Sequence, residues 1–273
     1  MKKYFLSICI FITTLQSYSL DQEIINGVEG DMDGTGPHMV FISLIVEKTE
    51  NGTVLEEHRN CSASLITKTT VMTAAHCFGL TKEEIAKVKT ARIYFTLNTH
   101  SSMKFGYTSK KFKVHDQFNT NKDYLNNDIA LISFSGALPA GYKPADYQKT
   151  DDTFLLGLEF RTAGYGQQLD HTNPLAHTPS KMGKLMSTKL KFDTTFPSPD
   201  FFPTHISAQQ TSTGICSGDS GGAAFVRNPN GTYKIVGINS STGTEKSCLE
   251  GKSYYTRVSL FADWISQTIQ ELK

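Results

Sequence analysis

The sequence is poor in the residues that mark several common protein classes. It has five cysteines and one tryptophan among 273 residues, and its formal net charge is +1. A net charge so close to zero gives no reason to expect a nucleic-acid partner. No two cysteines form a C-x-x-C pair, which argues against a zinc site. We therefore expect no nucleic-acid partner, no metal and no cofactor.

Long apolar runs are confined to the amino terminus. Lys2 and Lys3 precede an apolar run from Tyr4 to Thr14, and small and polar residues follow as far as Ser19. This layout is typical of a cleavable secretory signal, and the run is too short to span a bilayer comfortably. We expect residues 1–19 to be removed and the protein to be secreted, either outside the cell or into the periplasm of a bacterium. An uncleaved anchor is the alternative.

Four cysteines remain once Cys9 is lost with the signal segment: Cys61, Cys77, Cys216 and Cys248. An even number in an exported chain predicts disulfides. Four cysteines allow three connectivities, and the residues alone leave the choice among them open.

The hydrophobic pattern favours an all-β fold. Short apolar or alternating runs recur between turn signals such as Asn51-Gly52, which is typical of a sandwich or barrel. The runs span residues 39–46, 64–73, 91–97, 128–134, 160–163, 223–226 and 233–238. Helical spacing is found near 82–88 and over 260–272. The proline-containing stretch 167–210 is interpreted as long surface loops.

Three short motifs carry the chemistry. They are Thr73-Ala74-Ala75-His76-Cys77, then Asn127-Asp128-Ile129-Ala130-Leu131, then Gly218-Asp219-Ser220-Gly221-Gly222. A serine hydroxyl is a poor nucleophile at neutral pH and needs a base within hydrogen-bond reach. Histidine suits that role because its ordinary pKa lies near the working pH.

Taken together and in this order, the motifs resemble those of the chymotrypsin/trypsin-like serine proteases. The resemblance runs from about Ile24 to the C-terminus and is strongest to a secreted bacterial or invertebrate member with few disulfides. It implies two packed six-stranded antiparallel β-barrels with a C-terminal helix. It also implies the disulfides Cys61–Cys77 and Cys216–Cys248.

The same resemblance implies the catalytic roles. Ser220 would be the nucleophile, His76 the general base and Asp128 the residue that orients the histidine. The backbone N–H groups of Gly218 and Ser220 would form the oxyanion hole. The expected enzyme is a serine endopeptidase, active as a monomer on protein or peptide substrates.

An activation sequence is also implied. Ile24-Ile25-Asn26-Gly27 resembles the new N-terminus that proteolysis exposes in this family, where its ammonium pairs with the residue equivalent to Asp219. We therefore expect a short propeptide at 20–23 and a peptidase domain at 24–273. Glu23 stands where trypsin-activated relatives carry a basic residue, so trypsin-type activation is disfavoured. An activator that cuts after an acid, dipeptide trimming and self-cleavage are the alternatives.

The expected specificity pocket differs from that of trypsin. Gly214 occupies the floor position that is Asp in trypsin, and Ser240, Thr242 and Ser253 form the walls. These residues favour small or medium uncharged side chains before the cut, with glutamate as the alternative. Two other functions are alternatives. A catalytically silent binding protein would generally lack a triad residue, and an α/β-hydrolase would carry its histidine last.

Overall fold

The structure is a computed structural model that describes residues 24–29, 34–50, 53–100, 106–121, 124–175, 178, 182–242, 244 and 247–273. The expected signal peptide, the expected propeptide and the Asn51-Gly52 turn lie outside these residues. Within them, neither α-helix has the length and apolar character needed to cross a membrane.

The described residues form mostly short strands. In chain order the strands are β1 Val28–Glu29, β2 Met39–Glu50, β3 Thr53–Leu65, β4 Thr70–Thr73, β5 Val88–Tyr94, β6 Gly106–Ser109, β7 Lys111–Val114, β8 Asn119–Asn121, β9 Tyr124–Asn126, β10 Ala130–Ser133, β11 Asp146–Tyr147, β12 Glu159–Gly164, β13 Met186–Lys191, β14 His205–Gln210, β15 Ala223–Arg227, β16 Tyr233–Thr242 and β17 Gly251–Arg257. The α-helices are α1 Lys82–Ala86 and α2 Ala262–Glu271.

The first sheet has the strand order β6-β5-β2-β3-β4-β10-β7. Its two edge strands, β6 and β7, are consecutive in the chain with only Lys110 between them, so the sheet curls until its edges meet. The Ser109 hydroxyl accepts the N–H of Lys111 at 2.9 Å and donates to the carbonyl of Ser133, which fixes this corner. Fully buried aliphatic side chains fill the inside, among them Ile42, Leu44, Leu65, Val71, Leu131 and Ile132.

The second sheet has the order β1-β13-β12-β15-β16-β17-β14, and β11 adds to β16 as a parallel strand. Phe192, which directly follows β13, forms an isolated bridge with Ala208 of β14, and this bridge closes the sheet. The rings of Phe160 and Phe192 stack inside it with centroids 3.7 Å apart, and Tyr255 packs edge-on against Phe160 at 5.1 Å. This aromatic cluster forms the centre of the second barrel.

The predicted architecture of two packed antiparallel barrels with a C-terminal helix is confirmed. The sheets contain seven and eight strands rather than six each. The run 106–114 divides at Lys110 into β6 and β7, which pair with different neighbours, and the two-residue strands β1 and β11 join the second sheet. Helix α2 packs back onto β10 of the first barrel, and a 2.7 Å ion pair between Lys113 and Glu271 ties it to β7.

The interpretation of residues 167–210 as surface loops is wrong for two parts of that stretch. Strands β13 and β14 lie within it, and both are largely buried. The prolines at 197, 199 and 203 fall in the loop between these strands. Strand β14 was missed because it buries polar side chains, including His205, Ser207 and Gln210, and so lacks an apolar pattern.

The Cys61–Cys77 and Cys216–Cys248 disulfides are both formed, with sequence separations of 16 and 32 residues. Loop closure predicts that replacing both cysteines of Cys61–Cys77 by alanine lowers the free energy of unfolding by about 3 kcal/mol. Removing Cys216–Cys248 should lower it slightly more, because the loop is longer. Urea unfolding of the two double variants measures both losses, and stabilities equal to that of the parent protein would contradict the expectation.

Candidate active site

Three loops at the seam between the barrels carry the predicted catalytic residues. His76 lies in a one-turn 3₁₀ helix, Ala75–Cys77, that follows β4. Asp128 lies in the loop before β10, and Ser220 lies in the loop before β15. The disulfide from Cys77 to Cys61 attaches the histidine helix to β3. The first barrel therefore supplies the imidazole and the carboxylate, and the second barrel supplies the hydroxyl.

His76 and Asp128 are in direct contact. The ring atom Nδ1 of His76 lies 2.8 Å from Oδ2 of Asp128. The backbone N–H of His76 donates to the other carboxylate oxygen, Oδ1, at 2.9 Å. Because an ionised carboxylate only accepts hydrogen bonds, Nδ1 must carry a proton. The second ring nitrogen, Nε2, is then the free base in the neutral imidazole.

Two further hydroxyl groups hold Asp128, and both come from the second barrel. The Ser240 hydroxyl donates to Oδ2 at 2.7 Å, and the Thr256 hydroxyl donates to the Asp128 backbone carbonyl at 3.1 Å. The Asp128 side chain is fully buried. A buried carboxylate is stable only when hydrogen bonds or charges replace its lost hydration. Ser240 and His76 supply that replacement, while Thr256 holds the backbone of the same residue.

The pKa values of the pair move in opposite directions. Burial disfavours the charged form of each group, but their mutual attraction and hydrogen bonding outweigh it. The pKa of His76 is raised above its ordinary value, and the pKa of Asp128 is lowered below its own. Asp128 is thus an anion at neutral pH, beside a histidine that becomes a better base.

Ser220 is held next to the strand that leads into His76. Its carbonyl accepts the N–H of Ser62 at 2.9 Å. Gly221, with φ +79°, lies so close to Thr73 and the N–H of Ala74 that a Cβ there would overlap them. Among the described residues, the Ser220 hydroxyl forms no hydrogen bond with the His76 ring. Such bonds are often long without substrate and shorten when it binds.

The backbone around Ser220 presents free donors. Gly218 has φ +90°, a conformation that glycine adopts without strain. Its carbonyl is turned away to accept the Ser62 hydroxyl at 3.0 Å, and that hydroxyl in turn accepts the N–H of Tyr165 at 2.9 Å. Within the described chain, the N–H groups of Gly218 and Ser220 donate to no protein group. They are available to an oxygen bound from outside.

Asp219 is a second buried carboxylate in the same loop. It accepts the N–H of Gly166 and the N–H of Cys216, each at 2.8 Å. Burial raises the pKa of Asp219 to about 7, although these two donors act to lower it. Gly164 and Gly166 pack so tightly on it that a Cβ at either position would overlap the carboxyl group. The aspartate is therefore enclosed.

The segment expected to carry the new N-terminus lies near this loop. Ile24 is 1% exposed, and Ile25 forms an isolated antiparallel bridge with Gly214. Ile24 has φ +44°, which is a true outlier for a β-branched residue. The intact chain thus holds Ile24 in a strained backbone conformation.

The residue expected at the floor of the specificity pocket, Gly214, lies against a glutamine that sequence reasoning missed. A Cβ at Gly214 would overlap the side-chain amide of Gln210. That amide donates to the carbonyls of Ile215, at 3.2 Å, and Cys248, and it accepts the N–H of Ile215 at 2.7 Å. Its polar atoms are therefore engaged by the backbone, and it adds no net charge to the floor.

The three residues predicted to form the pocket walls differ in what their side chains contact. The Ser240 hydroxyl is turned to Asp128. The Ser253 hydroxyl is buried against the carbonyl of Ala208 at 3.3 Å and the hydroxyl of Tyr255 at 3.0 Å. Thr242, at the end of β16, is partly exposed. Of the three, Thr242 alone presents a side chain to solvent.

One group in the described chain has the composition of a metal site. Nε2 of His171 lies 3.4 Å from Sγ of Cys216 and 3.6 Å from Sγ of Cys248. Cysteine binds metals as a thiolate, and these two sulfurs are joined to each other. The group therefore contains one usable ligand.

The comparisons with known proteins agree with this geometry. The family model described as Trypsin matches residues 24–265. The fibrinolytic enzyme, isozyme C, of Lumbricus rubellus is 27% identical over 221 residues, which cover 76% of this chain and 87% of that protein. A solved structure of HL collagenase has a similar fold, with a TM-score of 0.68 at 19% identity over 90% of this chain and 98% of that one. The chain belongs to the trypsin family and is a serine endopeptidase.

Proposed function

We propose that this serine endopeptidase cleaves peptide bonds through an acyl-enzyme on Ser220. His76 takes the proton of the Ser220 hydroxyl as the hydroxyl attacks the carbonyl carbon, and later gives it to the leaving amine. Asp128 holds the imidazole in the required tautomer and stabilises the imidazolium. The observation that carries the proposal is the 2.8 Å contact between His76 Nδ1 and the buried Asp128 carboxylate.

The oxyanion of the tetrahedral intermediate would bind to the N–H groups of Gly218 and Ser220. Support comes from the absence of any protein acceptor for these donors within the described chain and from the bond that turns the Gly218 carbonyl away. A donor placed in advance needs no reorganisation as charge develops, and one such donor contributes about 3 kcal/mol to the lowering of the barrier.

The proposed specificity is for small or medium uncharged residues before the cut. A basic side chain would meet the neutral, fully engaged amide of Gln210 instead of a carboxylate. The glutamate alternative needs free hydroxyl donors, but the hydroxyls of Ser240 and Ser253 are already bonded to protein groups. The pocket is thus better suited to an apolar side chain, with Thr242 narrowing its entrance.

We also propose that the enzyme is exported as a precursor and activated by cleavage before Ile24. Two features support this site. The φ angle of Ile24 is measured from the carbonyl carbon of residue 23. Cleavage of the peptide bond between residues 23 and 24 therefore removes the strain at Ile24. Asp219 is buried with two N–H donors, and a new ammonium would supply the countercharge.

Residues 1–19 would be the signal and 20–23 the propeptide, and the mature enzyme would act as a monomer outside the cytoplasm, either extracellular or periplasmic. Protein or peptide chains are its substrates. The activating step is carried out by an enzyme that accepts Glu23 before the cut or trims dipeptides, or by the protein itself.

The triad proposal predicts the pH dependence of catalysis. Because the pKa of His76 is raised above 6.5, kcat/KM should rise with pH and reach half its maximum above pH 6.5. Replacing Asp128 by Asn removes the charge that raises this pKa and should reduce kcat by about 10⁴-fold. Asp146→Asn, at an exposed acid on the second sheet, is the control and should change neither quantity.

Labelling with a serine-directed phosphonate completes this test. Activated protein should react at Ser220, and Ser220→Ala should abolish both labelling and turnover. Unlabelled and inactive mature protein would favour the silent binding protein instead.

The pocket proposal predicts the cleavage profile of a peptide library. Cuts should follow small or medium uncharged residues, and Thr242→Gly should raise kcat/KM for Phe relative to Ala before the cut by about tenfold, since it opens space for a larger side chain. Dominant cleavage after Lys or Arg would contradict both the main proposal and the glutamate alternative.

The activation proposal predicts that active material begins at Ile24, as N-terminal sequencing would show. It also predicts a stability difference between precursor and mature forms, both carrying Ser220→Ala. In the precursor the pKa of Asp219 is about 7, against 3.8 when unfolded, so this group makes stability fall as pH rises from about 4 to 7. Pairing with the Ile24 ammonium removes that loss.

The free energy of unfolding of the mature form, relative to that of the precursor, should therefore increase by about 3 kcal/mol across this pH range. Urea unfolding of the two proteins at pH 4.5 and pH 7.5 measures the difference. Comparing them cancels the titrating side chains of residues 24–273, which the two forms share. A difference that does not change with pH would count against the ion pair.

A further inference from the structure

A second histidine is connected to the Asp128 carboxylate. His205 opens strand β14 in the second barrel and is 1% exposed. Its Nε2 lies 3.2 Å from the Ser240 hydroxyl, the same hydroxyl that donates to Asp128 Oδ2 at 2.7 Å. The chain of contacts therefore runs from His205 through Ser240 to the carboxylate that holds His76.

The protons in this chain can be assigned from donor and acceptor capacity. Asp128 is ionised and accepts, so Ser240 uses its single proton to donate to it. The oxygen of Ser240 must then accept from His205, which places a proton on Nε2. The other ring nitrogen, Nδ1, faces the Thr204 hydroxyl at 3.4 Å and can accept from it. The neutral ring fits both contacts.

The neighbouring residue holds the same aspartate loop from the other side. The Thr204 hydroxyl oxygen accepts the N–H of Asn127, at 3.2 Å, immediately before Asp128. Asn127 has φ +54°, which asparagine tolerates better than most residues. The Thr204 carbonyl is itself fixed by the N–H of Arg257 at 2.9 Å. Two successive residues of the second barrel thus contact the Asp128 loop of the first, directly or through Ser240.

We propose that His205 is a positioning residue for catalysis: it donates to Ser240 and thereby directs the Ser240 hydroxyl onto Asp128. This role rests on the proposed triad function. When the Ser240 oxygen accepts a hydrogen bond, its own O–H becomes a stronger donor. His205 therefore strengthens a contact that it does not make itself, and it keeps the carboxylate oriented towards His76.

The surroundings of His205 keep its charge constant while His76 titrates. Burial lowers the pKa of His205 to about 4, against the opposing effect of the Asp128 charge. The other titratable or charged groups on β17, the strand paired with β14, are Lys252, Tyr254, Tyr255 and Arg257. Tyr254 stacks on Phe202 beside the ring, burial raises the pKa of Tyr255, and Lys252 and Arg257 are paired with Asp193 at 2.7 Å and Asp152 at 2.9 Å. The neutral donor therefore persists throughout the pH range in which the enzyme would work.

The test compares two replacements that differ in reach. The amide of Gln can place an N–H where His205 Nε2 lies, whereas the shorter Asn cannot. His205→Asn should lower kcat about five- to tenfold with KM changed less than twofold. It should also raise the apparent pKa in the kcat/KM profile, because a carboxylate with a weakened donor attracts the His76 proton more strongly. His205→Gln should restore both values towards those of the parent enzyme.

A double-variant cycle with Ser240→Ala identifies the route. If His205 acts through Ser240, adding His205→Asn to Ser240→Ala should cause no further loss. Equal behaviour of the Asn and Gln variants, or additive losses in the cycle, would overturn the proposal. His205→Phe provides a third replacement without a donor should the Asn variant not fold, and it should match the loss expected for Asn.

Failure of the proposed function can be told apart from failure of this inference. If activated parent protein neither turns over substrate nor reacts with the phosphonate, the triad proposal fails. The coupling is then still measured by NMR titration of His76 in the same variants. An upward shift of the His76 pKa in His205→Asn, reversed in His205→Gln, supports the positioning role. An unchanged pKa in both contradicts it.

Discussion

The site depends on keeping one carboxylate charged inside the protein. Asp128 is fully buried, and a buried ion without partners would be neutralised. Its carboxylate partners come from both barrels, His76 from the first and Ser240 from the second, and Thr256 of the second barrel donates to the backbone carbonyl of the same residue. No single barrel could supply this set. The packing of the two barrels and the chemistry at their seam are therefore one constraint, because separating the barrels would remove the Ser240 donor from the buried carboxylate.

Polar side chains inside the second barrel also fix the loop that carries Ser220. Asn239 is fully buried, and its side-chain oxygen accepts the Thr162 hydroxyl at 2.8 Å. Its side-chain NH₂ donates to the carbonyls of Ala163 and Asp219, each at 3.1 Å. The loop that presents Ser220 is thus fastened to two strands by side-chain hydrogen bonds. A fully satisfied polar network favours one arrangement over others more strongly than apolar contacts do. The gain is a fixed geometry, which is what oriented proton transfer needs.

The catalytic motifs and several strands could be predicted from the sequence, because each depends on residues that are close together in the chain. The His76, Asp128 and Ser220 motifs each sit in a short string, and the apolar runs of β2, β10 and β15 are recognisable without a structure. Residues that act across a distance could not be found in this way. Gln210 reaches Ile215 and Cys248 only because the chain folds back, and a buried polar strand such as β14 resembles a loop in its composition. Two of its polar residues, His205 and Gln210, contact Ser240 and Gly214.

The two buried carboxylates of the site show what a cationic partner contributes. Asp128 faces an imidazole that can carry charge, and its pKa is lowered. Asp219 is equally buried, but the described residues offer its side chain only backbone N–H groups, and its pKa is raised to about 7. Hydrogen bonds from neutral donors thus do not by themselves offset burial here, whereas a charged partner does. The same comparison supports the proposal that a new ammonium at Ile24 orders the Ser220 loop. It would give Asp219 the kind of partner that His76 already gives Asp128, and the ionised carboxylate would then hold Gly166 and Cys216 more strongly.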